Sequence, residues 1–197
     1  MRKELATVPS CSKHNHDFKK LEERMRFYLQ AGSENEVALA EFDAKTMRSL
    51  EDPKAQGLVK RLFKGIRRIM LPGGESAKVR FEPSDYRLYF EKIARGLHYL
   101  ERGQPYSESE CLIAFRQSFV AAPIMVELFN RFAPHFNSSP LVRIGRSPHP
   151  KIFRYRFIDT TYHGGGRCFA VVMQFYKSSE AIAILHPKDL EEGLIIP

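Results

Sequence analysis

Cys11 and His14 stand three positions apart, followed at once by Asn15 and His16 and then by the neighbouring carboxylates Glu22 and Glu23. A tight turn carrying Cys and His at this spacing presents two soft or borderline donors to one tetrahedral ion, with His16 and the two acids close behind. A structural zinc takes four ligands, and the ten residues before Cys11 include no Cys, His or Asp to complete the set. The same residues also read without a metal. Asn15 is then a helix cap, Cys11 a small buried hydrophobe and His14 a solvated loop residue.

The element that must position these groups is a helix. From about residue 15, Phe18, Leu21, Met25, Tyr28 and Leu29 recur at three- and four-residue steps, and Gly32 ends the pattern. The ten residues ahead of Cys11 read as an extended lead-in, with Pro9 turning the chain toward the helix. Glu22 and Glu23 therefore share one helix with the basic residues Lys19, Lys20 and Arg24, which are candidates for contact with phosphates.

The run Val-Pro-Ser-Cys-Ser-Lys-His-Asn at residues 8–15, followed by an acid-bearing helix, resembles the second half of the HNH endonuclease motif in its zinc-bearing form. Cys11 matches the first Cys of the knuckle that opens the motif helix, His14 stands where the second usually lies, and Asn15 matches the middle Asn. The resemblance implies that Cys11 and His14 are metal ligands. It also implies that Asn15 braces the loop against a catalytic strand and that Glu22 or Glu23, for which we take Glu23, holds a divalent ion. The cofactor would be zinc or magnesium. The first half of the motif, a Cys pair and a strand bearing the general-base His, would lie some tens of residues before Cys11 and so upstream of Met1. The expectation is an HNH-related protein that binds DNA or RNA and is catalytically incomplete as this chain. The alternatives are a metal-dependent nuclease acting through His14, His16 and a Glu, and an interaction domain without metal. The rest of the chain also resembles the tail of some bacterial HNH-related proteins.

Composition bounds these readings. A chain of 197 residues with 43% hydrophobic content, fifteen Phe and eight Tyr supports one ordinary globular core. It has no apolar run long enough to span a bilayer, and its start lacks the apolar region of a signal peptide, so no membrane partner is expected. Three widely separated cysteines fit a reducing cytoplasm. A net charge of +8 favours an anionic partner, because clustered Lys and Arg release counterions from a phosphate backbone.

Along the chain, a second helix is predicted over residues 33–50, closed by Asp52-Pro53. A third, over residues 54–70, places Leu58, Leu62, Phe63, Ile66, Ile69 and Met70 on one face and Lys54, Lys60, Arg61, Lys64, Arg67 and Arg68 mainly on the other. That helix reads as a phosphate-tracking surface, a membrane-surface helix or a core helix with a cationic outer face. Residues 71–76 form a turn-rich break, with a short strand after it. Tyr86, Tyr89, Phe90, Ile93, Leu97 and Leu100 then mark a strong helix ended by Gly103, expected at the centre of the core, with His98 as a packing residue. Ser107 and Glu110 match a capping box before a short helix, and Pro123 opens another that Pro134 ends.

After residue 140 the period changes to two, and strands are predicted over residues 141–144, 152–158, 169–176 and 181–185. The glycines within residues 162–167 read as a hairpin loop. Arg143, Arg146, Lys151, Arg154, Arg156 and Arg167 interleave with Phe153, Tyr155 and Phe157. This is either a stacking face for single strands or a strand with aromatics inward and arginines in water. The predicted fold class is α+β: N-terminal helices packed with a C-terminal antiparallel β-sheet. The predicted domains are residues 1–31, an arm and helix remaining from an HNH-like motif, and residues 32–197, a helical and β-meander unit.

Overall fold

A computed structural model describes residues 12–31, 33, 35–53, 56–63, 66–71, 74–79, 82–106, 110–117, 123–161 and 166–187. Its first half is mainly helical: α1 (Ser12–Ala31), α2 (Glu36–Glu41), a π-helical turn over Phe42–Met47, α3 (Arg48–Glu51) and α4 (Gln56–Phe63). A separate hairpin of β1 (Ile66–Leu71) and β2 (Gly74–Val79) follows. Then come α5 (Pro83–Arg102), β3 (Glu110–Gln117), α6 (Pro123–Ser138), β4 (Arg143–Ile144), β5 (Phe153–Thr161), β6 (Arg167–Phe175) and β7 (Ser179–His186). The last five strands form one antiparallel sheet in the order β3-β7-β6-β5-β4. The α+β architecture, with helices leading and an antiparallel sheet closing the chain, is as expected.

Local chemistry accounts for several boundaries. Asn35 caps α2, its side chain accepting from the Val37 N–H at 3.0 Å. Pro83 occupies the first turn of α5, where its missing N–H is harmless, and Gly103 closes that helix in the left-handed region at φ 71°, donating to the Tyr99 carbonyl at 2.7 Å.

The sheet is covered on both faces. On one, Tyr86, Phe90, Ala94 and Leu97 of α5 meet Phe115, Phe157, Phe169 and Phe175, with Leu21, Met25 and Leu29 of α1 joining the same buried cluster. On the other, Phe129, Phe132 and Phe136 of α6, spaced one helical face apart, pack on Ala114, Ile158, Ala170, Val172, Ile182 and Ile184. Strand alternation assigns the faces: Phe153, Tyr155 and Phe157 point to the α5 side, and Arg156 and Ile158 to the α6 side.

Three elements differ from their sequence reading. The basic helix predicted over residues 54–70 is instead α4 and β1 among the described residues, which puts Lys60 and Arg61 on the helix and Arg67 and Arg68 on the strand. The three- and four-residue spacing of Ile66, Ile69 and Met70 gives way to pairing with β2, in which Ile66 faces Val79 and Leu71 faces Gly74. Residues 110–117, matched to a capping box and a short helix, are strand β3, paired along its whole length with β7. Pro134 does not end α6. The helix continues to Ser138, whose hydroxyl donates to the Pro134 carbonyl at 3.0 Å, because burial of Phe132 and Phe136 outweighs the one hydrogen bond that proline removes.

One buried polar network ties α1 to the end of β6. Gln30, 1% exposed, accepts from the Thr46 hydroxyl at 2.6 Å and donates to the Tyr176 hydroxyl at 3.1 Å, and Tyr176 in turn donates to Glu41 at 3.1 Å. Thr46 lies in the π-helical turn, and Tyr176 and Lys177 carry positive φ values of 50° and 63° in the β6–β7 turn. Gly145, just beyond β4, lies flat against Tyr155: a Cβ there would fall inside the Tyr155 ring. Its N–H donates to the Tyr155 carbonyl at 3.1 Å, and the Tyr155 hydroxyl donates to Glu101 near the end of α5. Among the described residues no helix is long and apolar enough to cross a membrane.

Candidate nucleic-acid interface

The residues proposed for metal chemistry are only partly described. Cys11 lies outside the described residues. His14, Asn15 and His16 sit in the first turns of α1. Glu23 is half-buried on α1, and its neighbour Glu22 accepts an ion pair from Lys92 of α5 at 2.5 Å. Among the described residues no three His, Cys, Asp or Glu side chains gather closely enough to hold a metal ion. Glu22 and Glu23 do not by themselves form a metal site.

The basic residues proposed for phosphate contact are scattered. Lys19 and Lys20 are exposed on α1, whereas Arg24 is turned inward and grips Asp85 through both Nε at 3.0 Å and Nη2 at 2.7 Å. Lys60 is exposed on α4 and Arg67 on β1. Arg61 belongs to α4 and Arg68 to β1, their side chains undescribed, and Lys64 lies outside the described residues.

A denser cationic surface forms elsewhere. No Asp or Glu lies between Glu127 and Asp159, while Arg131, Arg143, Arg146, Lys151, Arg154 and Arg156 fall within that stretch. Arg143, Arg146, Lys151, Arg154 and Arg156 belong to the edge strand β4, the loop after it and β5, at one margin of the sheet, whereas Arg131 is on α6, which packs mainly on β3 and β7 toward the other edge. All but Arg156 are exposed. Among the described residues none of the six is paired with a carboxylate. Arg154 Nε donates to the Pro150 carbonyl at 2.8 Å, and Arg156 donates to the Asn137 side chain at 3.1 Å, which spreads the guanidinium groups without neutralising them. Ile144, 82% exposed, sits among them on the outer strand. The signal in the sequence is this acid-free stretch.

The aromatic rings interleaved with these arginines face the other way. Tyr155 and Phe157 are buried and Phe153 half-buried in the α5 cluster, Phe153 stacking on Tyr155 with ring centroids 5.7 Å apart. No described Phe or Tyr is exposed anywhere in the molecule. The margin therefore offers charge without rings on which bases could stack, so of the two readings of these strands the inward one holds. Tyr155 itself is fixed: burial and its bond to Glu101 push its hydroxyl far above the ordinary tyrosine range.

The remaining groups of interest are structural. His98 is buried on α5, with Nδ1 at 3.2 Å from the Gln104 carbonyl and its ring edge-on to Tyr106 and Phe169. Burial holds its pKa down, against the opposing pull of Gln104 and Asp159. It is a packing residue, as expected. Burial also raises the thiol of Cys111 to about 12 and that of Cys168 to about 11, which leaves both far from the thiolate a nucleophile needs. The region 162–165, read as a hairpin loop, lies outside the described residues between paired strands β5 and β6. Comparison with family models, with curated proteins and with solved structures finds no match to this chain in any of the three.

Proposed function

We propose that this protein is an HNH-endonuclease-related nucleic-acid-binding protein that grips the phosphate backbone along the margin formed by β4, β5 and the loop between them and does not cut on its own. The observation that carries the reading is the acid-free stretch between Glu127 and Asp159, whose exposed cations meet no described carboxylate. Unpaired cations of this kind gain affinity by displacing counterions from a dense phosphate array. The absence of exposed rings among the described residues favours duplex over single strands, since stacking is what selects unpaired bases. Contacts of this type position the protein on the helix without reading its sequence. The HNH relation rests mainly on residues 8–23 and adds a metal at Cys11, His14 and Glu23, with zinc or magnesium as the ion.

The test is fluorescence anisotropy on the full chain with a short labelled DNA duplex over a salt series. Binding should weaken linearly in log–log form as salt rises. Arg143→Glu with Arg146→Glu should lower affinity at least about tenfold and flatten the salt slope by roughly 2, while thermal stability moves by no more than about 0.5 kcal/mol. Salt-independent binding, or a double variant that binds like the parent, would overturn the interface. Nicking of plasmid DNA that depends on Mg²⁺ and disappears in Glu23→Ala would overturn the non-cutting reading in favour of a metal-dependent nuclease.

A further inference from the structure

On the opposite side of the molecule from the α6 face, α1, α5 and the ends of β5 and β6 enclose a groove of about 720 Å³, the size of a small-molecule site. Its two ends differ in chemistry. One is apolar, formed by Ile93, Leu97, Leu100, Ile152 and Phe153. The other carries Arg26, exposed on α1, and Tyr89 on α5. Among the described residues Arg26 forms no ion pair and the Tyr89 hydroxyl has no hydrogen-bond partner. Burial raises the Tyr89 hydroxyl, Glu22 and Tyr176 add to the rise, and the Arg26 charge opposes it.

The rim narrows the choice of occupant. Lys92 is occupied by Glu22 and lies 4.7 Å from the Phe18 ring centroid, and Glu23 stands at the same rim. Lys19 and Lys92 offset Glu22 and Glu23 at this rim, so with Arg26 the lining carries one positive charge in excess, enough for a single anionic group and too little for a polyanion such as the nucleic acid assigned to the other side. One guanidinium backed by one hydroxyl donor matches a single carboxylate, which takes charge-assisted hydrogen bonds from both. Between the ends, Gly96 contributes bare backbone to the lining in the middle of α5. An interior helical glycine is a weak helix former, and here its missing side chain keeps the groove continuous from the charged end to the apolar end.

We propose that this groove binds an amphipathic monocarboxylate of fatty-acid type, with its head on Arg26 and Tyr89 and its chain running over Gly96 between Ile93, Leu97 and Ile152. The charge complementarity at one end and the apolar lining at the other select this class over a neutral or cationic amphiphile.

The experiment is isothermal titration calorimetry of the full chain with dodecanoate below its micelle concentration, with dodecyltrimethylammonium as the charge-reversed probe. Dodecanoate should bind and dodecyltrimethylammonium should not. Arg26→Gln, a surface change that leaves the core untouched, should weaken dodecanoate about tenfold, the loss expected for a charged hydrogen bond. Tyr89→Phe should weaken it several-fold. Gly96→Leu, which fills the groove, should abolish binding, and circular dichroism together with Gly96→Ala, a helix-favouring change, shows whether α5 still forms. Equal binding of both amphiphiles, no binding by the parent, or unchanged affinity in Arg26→Gln would overturn the proposal.

Discussion

The two faces of the five-stranded sheet are built from the same strands and are packed in different ways. Toward α5 the strands present Phe115, Tyr155, Phe157, Phe169 and Phe175 to a helix that answers with Tyr86 and Phe90, in contacts such as Tyr86 on Phe115 at 4.5 Å and Phe90 against Phe175 at 5.7 Å. Toward α6 they present small and aliphatic residues, Ala114, Ala170, Val172, Ile182 and Ile184, and the helix brings the rings. Rings on both sides of the α5 contact leave little room for charge, whereas the slimmer α6 layer leaves strand margins free to carry arginines. Both faces are buried, and they differ in whether the strands supply rings or leave them to the helix. Period-two alternation lets one strand serve both faces, since Tyr155 and Arg156 are neighbours in sequence and opposites in space.

The sharpest challenge to this division is to weaken the α5 face alone. Phe90→Ala should cost about 3–5 kcal/mol in urea unfolding, because its ring meets Tyr86, Tyr89, Phe115 and Phe175 and a cavity would remain. A loss below about 1 kcal/mol would mean that this layer is loosely packed and the comparison is wrong. A smaller effect is expected at the polar network on the same side. Thr46→Val removes the donor to the buried Gln30 carbonyl oxygen and should cost about 1–3 kcal/mol. Adding Gln30→Leu to Thr46→Val should recover part of that loss, and a double-mutant cycle showing strict additivity would contradict the network.

The gentlest probe is pH. Burial keeps the folded His98 below its ordinary pKa, outweighing the pull of Gln104 and Asp159, while Arg167 and Arg102 act in the same direction as burial. The unfolded chain therefore binds the extra proton first, near pH 6.5. Stability from this residue is complete above about 6.5 and declines as pH falls through that value toward the folded pKa. Relative to the parent, His98→Gln should lose less in melting temperature across that window; an identical pH profile would show that the ring is not shielded by the α5 layer.

Much of the α5 layer was legible in the sequence. The stripe from Tyr86 to Leu100 and the stop at Gly103 reflect a helix that is apolar on one side only, and the late strands alternate because each separates a core face from another surface. Residues 110–117 were harder. Cys111, Ile113 and Phe115 join the α5 cluster while Leu112 and Ala114 meet α6, so the run is apolar throughout and carries no period with which to tell strand from helix. The stretch 66–71 misled for a different reason: its apolar residues fall at helical spacing, but the partner strand β2 decides the outcome, and pairing is a property of two segments. The cationic margin was legible as residues, since Arg143 to Arg156 could be read from the strands, but not as a surface, because which strand lies at the sheet edge depends on pairing between distant segments. The groove was not legible at all. Its walls come from four elements far apart in the chain, and nothing in the local pattern around Arg26, Tyr89 or Gly96 links them.

Gly145 sets very different limits on neighbouring positions of that cationic margin. Its exposed neighbours Ile144 and Arg146 have room for almost any side chain, so the charge of the surface can be rewritten at small structural expense. At 145 itself even one methyl group would displace the Tyr155 ring, and with it the hydroxyl that reaches Glu101. Mutational freedom here therefore alternates between extremes from one residue to the next. A variant library across this loop would tolerate changes in what the surface attracts long before it tolerated any change in where that surface is attached.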